Sequence, residues 1–320
     1  VSPESLAVGV DPDAPLVVRF SEKIDTQSLE RALWVTPGGA AKPRFSGSTE
    51  VEIRFAHPFP ESSTVGVLIT TALRDKPLAG SQNFLEEPYR WVFSTGPDLW
   101  PGRIHGIVKQ TEETKRTESR TSSPGQVLVA LFAAETDSLP AFGRLSPLAI
   151  TEVNEAGRYD LMGLPVDGQR YWLVSMLDRN GNREISGTGE FYSARPDSIR
   201  LTAAAPQLEI PVRLVNPSAP GEVRGRLTRA PGDSLAVWVQ LYGADTDSLG
   251  SPRYQGRATA GGDYAIGGVA PGAYRVLAYC DVDGNGRAEA GEILVPLGTV
   301  TVRPGEPVEM PEQEGPSCGP

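Results

Sequence analysis

Near its C-terminal end the chain reads "CDVDGNGRAEAGE" over residues 280–292. Counted from Asp281, side-chain oxygens fall at the first, third and fifth places (Asp281, Asp283, Asn285). Gly286 stands sixth, Glu289 ninth and Glu292 twelfth. This is the spacing with which a tight loop wraps oxygen ligands around Ca2+. The main-chain carbonyl of Arg287 would serve at the seventh place, and the glycine permits the turn. A strand leads in rather than a helix, so the expected frame is strand-to-turn. A bound ion would then pin a loop at the end of a sheet and take no part in catalysis. The same letters also suit a solvated Asn-Gly turn with incidental acids, and short motifs of this kind do match by chance. Both readings stay open here.

A sister stretch, "DRNGNREISGTG", repeats the pattern from residue 178. It keeps Asp178, Asn180 and Asn182. Arg183 replaces the glycine, Ser186 stands ninth and Gly189 twelfth, so the charge is lower and the clamping carboxylate is missing. Calcium is the weaker reading at that loop.

Other chemistry finds little support. An acidic pair could do glycosidase work, but nothing sets these acids apart from a turn or calcium cluster. The two histidines are His57, in a "HPFP" turn, and His105, at strand spacing in "GRIHGIV". No G-x-S-x-G, no H-E-x-x-H and no Gly-rich phosphate loop opening a helix is present. The reading is therefore not an enzyme. Cys280 reads as a buried strand cysteine and Cys318 as part of a polar tail. Two cysteines define no disulfide framework, and a bond between them is the less expected state. Trp34, Trp91, Trp172 and Trp238 read as core. Trp100, in "PDLWPG", reads as a wedge between domains, and Phe191 with Tyr192 as the best available sugar platform.

The elements that must position these residues are strands. Short runs such as "PLVVRF", "TVGVLITT", "QVLVALFAA", "RYWLVSML" and "AVWVQLYGA" alternate and are rich in Val, Ile, Tyr and Trp. Among 320 residues there are 35 Gly and 29 Pro, which favours many turns over long helices. Only "DTQSLERALW" (25–34) predicts a short helix, capped by Asp25 or Thr26. The fold class is all-β: three tandem antiparallel β-sandwich domains in an elongated arrangement. The net charge of −10 argues against nucleic acid as a partner. No apolar run is long enough to span a membrane as a helix. No signal peptide is visible within the sequence, so export would imply a targeting segment that was cleaved or lies outside it.

Composition places the boundaries at 1–98, 99–217 and 218–310, with a tail at 311–320. A polar stretch at 110–126 reads as a long hairpin loop. The second and third units repeat one another. "AETDSL" (134–139) matches "ADTDSL" (244–249), and "GRYDLMGLPVDGQRYWLVSMLDRNGN" matches "GDYAIGGVAPGAYRVLAYCDVDGNG" with one gap.

The opening "SPESLAVGVDPDAPLVVRFSEKIDTQSL" and closing "WVFSTGP" (91–97) resemble the bacterial Ig-like domain of surface-layer and other exported proteins. The two later units resemble the transthyretin-like, carboxypeptidase-regulatory-like sandwiches of exported bacterial proteins. The resemblance implies a periplasmic or cell-surface protein without catalysis. The expected role is an accessory subunit docking on a membrane-bound complex, with a photosynthetic or respiratory electron-transfer complex as one host. Its partners would be protein subunits of that assembly, engaged through sheet edges, the 110–126 loop and the tail. The alternatives are a surface adhesin or carbohydrate-binding module, and, less expected, a hydrolase.

Overall fold

The computed structural model describes residues 1–37, 44–77, 82–109, 126–134, 147–178, 192–193, 197–216, 218–228, 235–244, 251–289, 291–292 and 294–318. They divide into two compact units, Val1–Leu214 and Val215–Pro320. Most of the 110–126 loop lies outside the described residues, as do Phe191 and nearly all of the sister loop.

The first unit opens with β1 (Leu16–Arg19), α1 (Thr26–Ala32), β2 (Leu33–Thr36), β3 (Arg44–Ser46), β4 (Glu50–Arg54), β5 (Thr64–Ile69) and β6 (Tyr89–Ser94). Two three-stranded sheets, ordered β1-β4-β3 and β2-β5-β6, close on a core that includes Leu16, Ile53, Val67, Trp91 and Phe93. The short helix forms where the sequence predicts it. The Asp25 carboxylate accepts from the Gln27 amide at 2.9 Å and caps α1.

The same unit continues through β7 (Gly102–Lys109), β8 (Gln126–Ala133), β9 (Ala149–Glu152), β10 (Arg158–Leu164), β11 (Asp167–Asp178), β12 (Tyr192–Ser193), β13 (Asp197–Thr202), β14 (Gln207–Glu209) and β15 (Val212–Val215). β10 pairs β7, with β14 and β15 parallel on its other edge. β9, β8, β11 and β13 pair in that order.

The second unit holds β16 (Gly221–Thr228), β17 (Ala236–Gly243), β18 (Tyr254–Arg257), β19 (Asp263–Val269), β20 (Gly272–Asp281), β21 (Leu294–Val302), β22 (Pro307–Glu309) and β23 (Gln313–Glu314). Its pairing is the same apart from β12, which joins β11 to β15 in the first unit and has no counterpart among the described residues of the second. β19 pairs β16, with β22 and β23 parallel beside it, and β18-β17-β20-β21 forms the facing sheet. The sequence repeat is thus one sandwich used twice. The copies share a local device. Gly106 lies opposite Tyr159, and Gly225 lies opposite Tyr264. A Cβ on Gly106 would stand 2.1 Å from the Ile210 carbonyl oxygen, and one on Gly225 would stand 2.5 Å from the Tyr264 hydroxyl. Glycine in the first strand makes room for the partner tyrosine.

The first two sandwiches, expected as separate domains in series, share a packed layer. Leu68 of β5, with Trp34 of β2 against it, packs on Leu128, Ala130, Phe132, Ile150, Trp172, Val174 and Met176. Strands β8 and β11 consequently bury both faces over most of their length, as their near-continuous apolar runs require. Polar contacts close the edges of this layer. The Thr71 amide donates to Glu152 at 2.7 Å, and Arg90 donates to the Met162 carbonyl at 2.9 Å. Trp100 is held at the boundary through its main chain. It is half-buried, and its amide donates to Thr64 Oγ1 at 2.7 Å.

Candidate metal centre

β17 and β20 build the platform under the first loop considered. Their antiparallel register sets Ala236 opposite Asp281, Val237 opposite Cys280 and Trp238 opposite Tyr279. Side chains alternate along a strand, so Trp238, Tyr279 and Asp281 share one face. Cys280 points the other way, into the apolar core of the unit.

Cys280 is bonded to Cys318, with Cα atoms 5.6 Å apart. This corrects the reading of two unlinked cysteines. It also corrects the free tail, because Gln313 and Glu314 pair in parallel with Leu227 and Thr228 as β23. The tail reads as polar because its anchoring is done by main-chain bonds and one sulfur, neither of which shows in hydropathy. Two cysteines in one unit, separated by 38 residues, were the signal the sequence offered.

The loop gathers part of the predicted ligand set. One carboxylate oxygen from each of Asp281, Asp283 and Glu292 lies within 4.8 Å of the other two. Asp281 is only 5 % exposed. Its Oδ2 accepts from Trp238 Nε1 and from the Gly286 amide, both at 3.1 Å. Its Oδ1 is buried and has no hydrogen-bond partner among the described residues. Glu292 accepts from the amides of Val282 and Glu289. Asn285 places its side-chain oxygen on the Arg287 amide at 2.7 Å and its NH2 between Asp283 and Glu289. Glu289 is not in the converging carboxylate group among the described residues. Gly284 and Gly286 both adopt positive φ, 76° and 71°, the conformation for which the sequence supplied glycine.

Tyr279 registers the field of this cluster. Burial first, and then the carboxylates of Asp281, Glu292 and Asp283, push its hydroxyl up to about 12. No salt bridge among the described residues reaches the three acids.

At the sister loop, Asp178 ends β11 and is buried, while Asn180 and Asn182 lie outside the described residues. His57 is exposed, and His105 lies in β7 opposite Asp160. Tyr192 is half-buried and pairs with Met176 in the sheet, and Phe191 lies outside the described residues. Among the described residues, the exposed aromatic side chains are Phe84 and Tyr89. No helix is long and apolar enough to cross a membrane.

The fold defines a tandem β-sandwich protein. Residues 1–95 match the model of the bacterial Ig-like domain, and the first sandwich is such a domain. Comparison with curated proteins finds no match. Among solved structures, the minor pilin of Streptococcus agalactiae is 13 % identical, over 68 % of this chain and 98 % of that one, at a TM-score of 0.20. The Bacillus anthracis TIE protein is 12 % identical, over 98 % of this chain and 56 % of that one, at 0.23. A shaft pilin of Lactobacillus rhamnosus GG is 10 % identical, over 68 % and 100 %, at 0.22. At scores this low no functional property passes from these proteins to this chain.

Proposed function

We propose that the chain is an extracytoplasmic, non-catalytic structural protein of the bacterial surface or periplasm, working through protein–protein contact. The observation that carries this is the Cys280–Cys318 bond inside the core of the second unit. Such a bond persists in oxidising compartments and is rare in the cytosol. The N-terminal bacterial Ig-like domain is in keeping with that placement. Ionisable side chains within the first unit serve the frame. Arg103 makes two bonds to Asp160 across β7 and β10, and Glu152 ties two sandwiches together. The partners proposed are protein subunits of a membrane-associated assembly. Edge strands support this, because β3, β18 and β21 each pair on one side only among the described residues, leaving main-chain groups able to receive a partner strand.

The test is fractionation of native cells, with thiol alkylation before and after reduction. A mass gain of two alkyl groups only after reduction, in the surface or periplasmic fraction, is the expected result. Free thiols in a cytosolic pool would overturn the reading. Gentle detergent extraction and native sizing then address the partner. Co-migration with a membrane complex supports docking. Migration alone near 34 kDa, with retention on glycan arrays, replaces docking by adhesion.

A further inference from the structure

We infer that the 281–292 loop is a calcium site, with Asp281, Asp283 and Glu292 as its carboxylate ligands. Two independent observations meet there. Three carboxylates converge within 4.8 Å, and no salt bridge among the described residues neutralises them. One of them, Asp281, is nineteen-twentieths buried and keeps an oxygen with no hydrogen-bond partner among the described residues. A buried carboxylate oxygen without a donor is costly, and like charges this close repel. A divalent cation removes both costs at once.

The ligand chemistry selects the ion. All the donors are oxygens, which excludes a preference for soft metals. With the Asn285 side chain fifth, the Arg287 carbonyl seventh and Glu292 binding through both oxygens, the loop offers six protein oxygens, the number at which Ca2+ sites begin, whereas Mg2+ keeps several of its waters and is held by one or two carboxylates. The bonds that Asp283 and Glu292 already make do not exhaust them, since each carboxylate oxygen has two lone-pair directions. The site begins at Asp281, the last residue of β20, next to the disulfide at Cys280. Ion and disulfide therefore secure the same strand end from its two faces.

Trp238 supplies a readout. Its indole N–H bonds Asp281, and its ring lies 3.6 Å from where a Cβ on Gly286 would stand. Excitation of tryptophan should sensitise Tb3+ bound in the loop. The experiment titrates the whole chain with Tb3+, displaces it with Ca2+, and measures Ca2+ binding by calorimetry. Expected are one equivalent of Ca2+ attributable to this loop and a Kd on the order of 0.1–1 mM, the range of extracellular modules. Asp283→Ala removes an exposed ligand without touching the Trp238 bond, and should weaken binding at least tenfold. Trp238→Phe should abolish sensitised emission while the calorimetric heat remains. Absence of heat at 10 mM Ca2+, or heat unchanged in both Asp283→Ala and Glu292→Gln, overturns the assignment. Binding that survives both substitutions would belong to another segment and counts against this loop.

Discussion

Glu152 shows what a single carboxylate does in this fold. It is 6 % exposed and accepts both the Thr71 amide and the Thr71 hydroxyl. Burial raises its pKa above the ordinary value, and the two Thr71 bonds oppose that rise without cancelling it. The folded state therefore holds the proton at higher pH than the unfolded chain does. Stability from this group is full below the ordinary carboxylate value and is lost as pH rises through the raised one. Urea unfolding of wild type and Glu152→Gln across a pH series checks this. Relative to Glu152→Gln, wild type should lose stability as pH climbs above the ordinary carboxylate range. A parallel pair of curves would refute it. Glu152→Ala should cost about 1–3 kcal/mol at any pH, because the Thr71 amide is left without its acceptor.

At the scale of elements, close approach of backbones decides more than propensity. Gly163, in β10, has φ of 74°, and a Cβ there would stand 2.6 Å from Thr64 Cγ2 of β5. Gly163→Ala should cost on the order of 2 kcal/mol, combining left-handed strain with overpacking. Thr64→Ser deletes the obstructing methyl and keeps the hydroxyl that accepts from Trp100. The double variant should therefore recover part of the loss, and strict additivity in denaturant midpoints would show that the layer is not this tight. The C-terminal strand rests on its disulfide in a comparable way. Cys318→Ser should cost about 2–4 kcal/mol. It should also remove hydrogen-exchange protection from the Gly315 amide, which donates to the Thr228 carbonyl at 3.0 Å. Protection unchanged in the variant would mean β23 holds by its ladder alone.

For the whole molecule, the period-two runs, the repeat and the first domain were all legible before any coordinates. Alternation of apolar and polar residues is a local signal, and so is the "G-x-Y" strand that both repeats carry. The Asp25 cap was legible for the same reason, since cap and helix lie within one turn. Half of the candidate site was legible too. The places of Asp281, Asp283 and Glu292 follow from spacing along one loop. Their convergence does not, because Glu289 fits the spacing equally well and stands apart. Nor does the setting of Asp281, whose Oδ2 accepts from a tryptophan 43 residues away.

By itself, then, the sequence determined an all-β chain, a bacterial Ig-like opening, one sandwich used twice, and a loop with oxygen donors at the spacing of a hard cation. Only the tertiary structure decided that the first two sandwiches share an apolar layer, that Cys280 and Cys318 meet, and that the tail is a strand. These are pairings between segments distant along the chain. Their energies come from surfaces and main-chain groups that meet only on folding, and no local pattern of residue types records which two will meet.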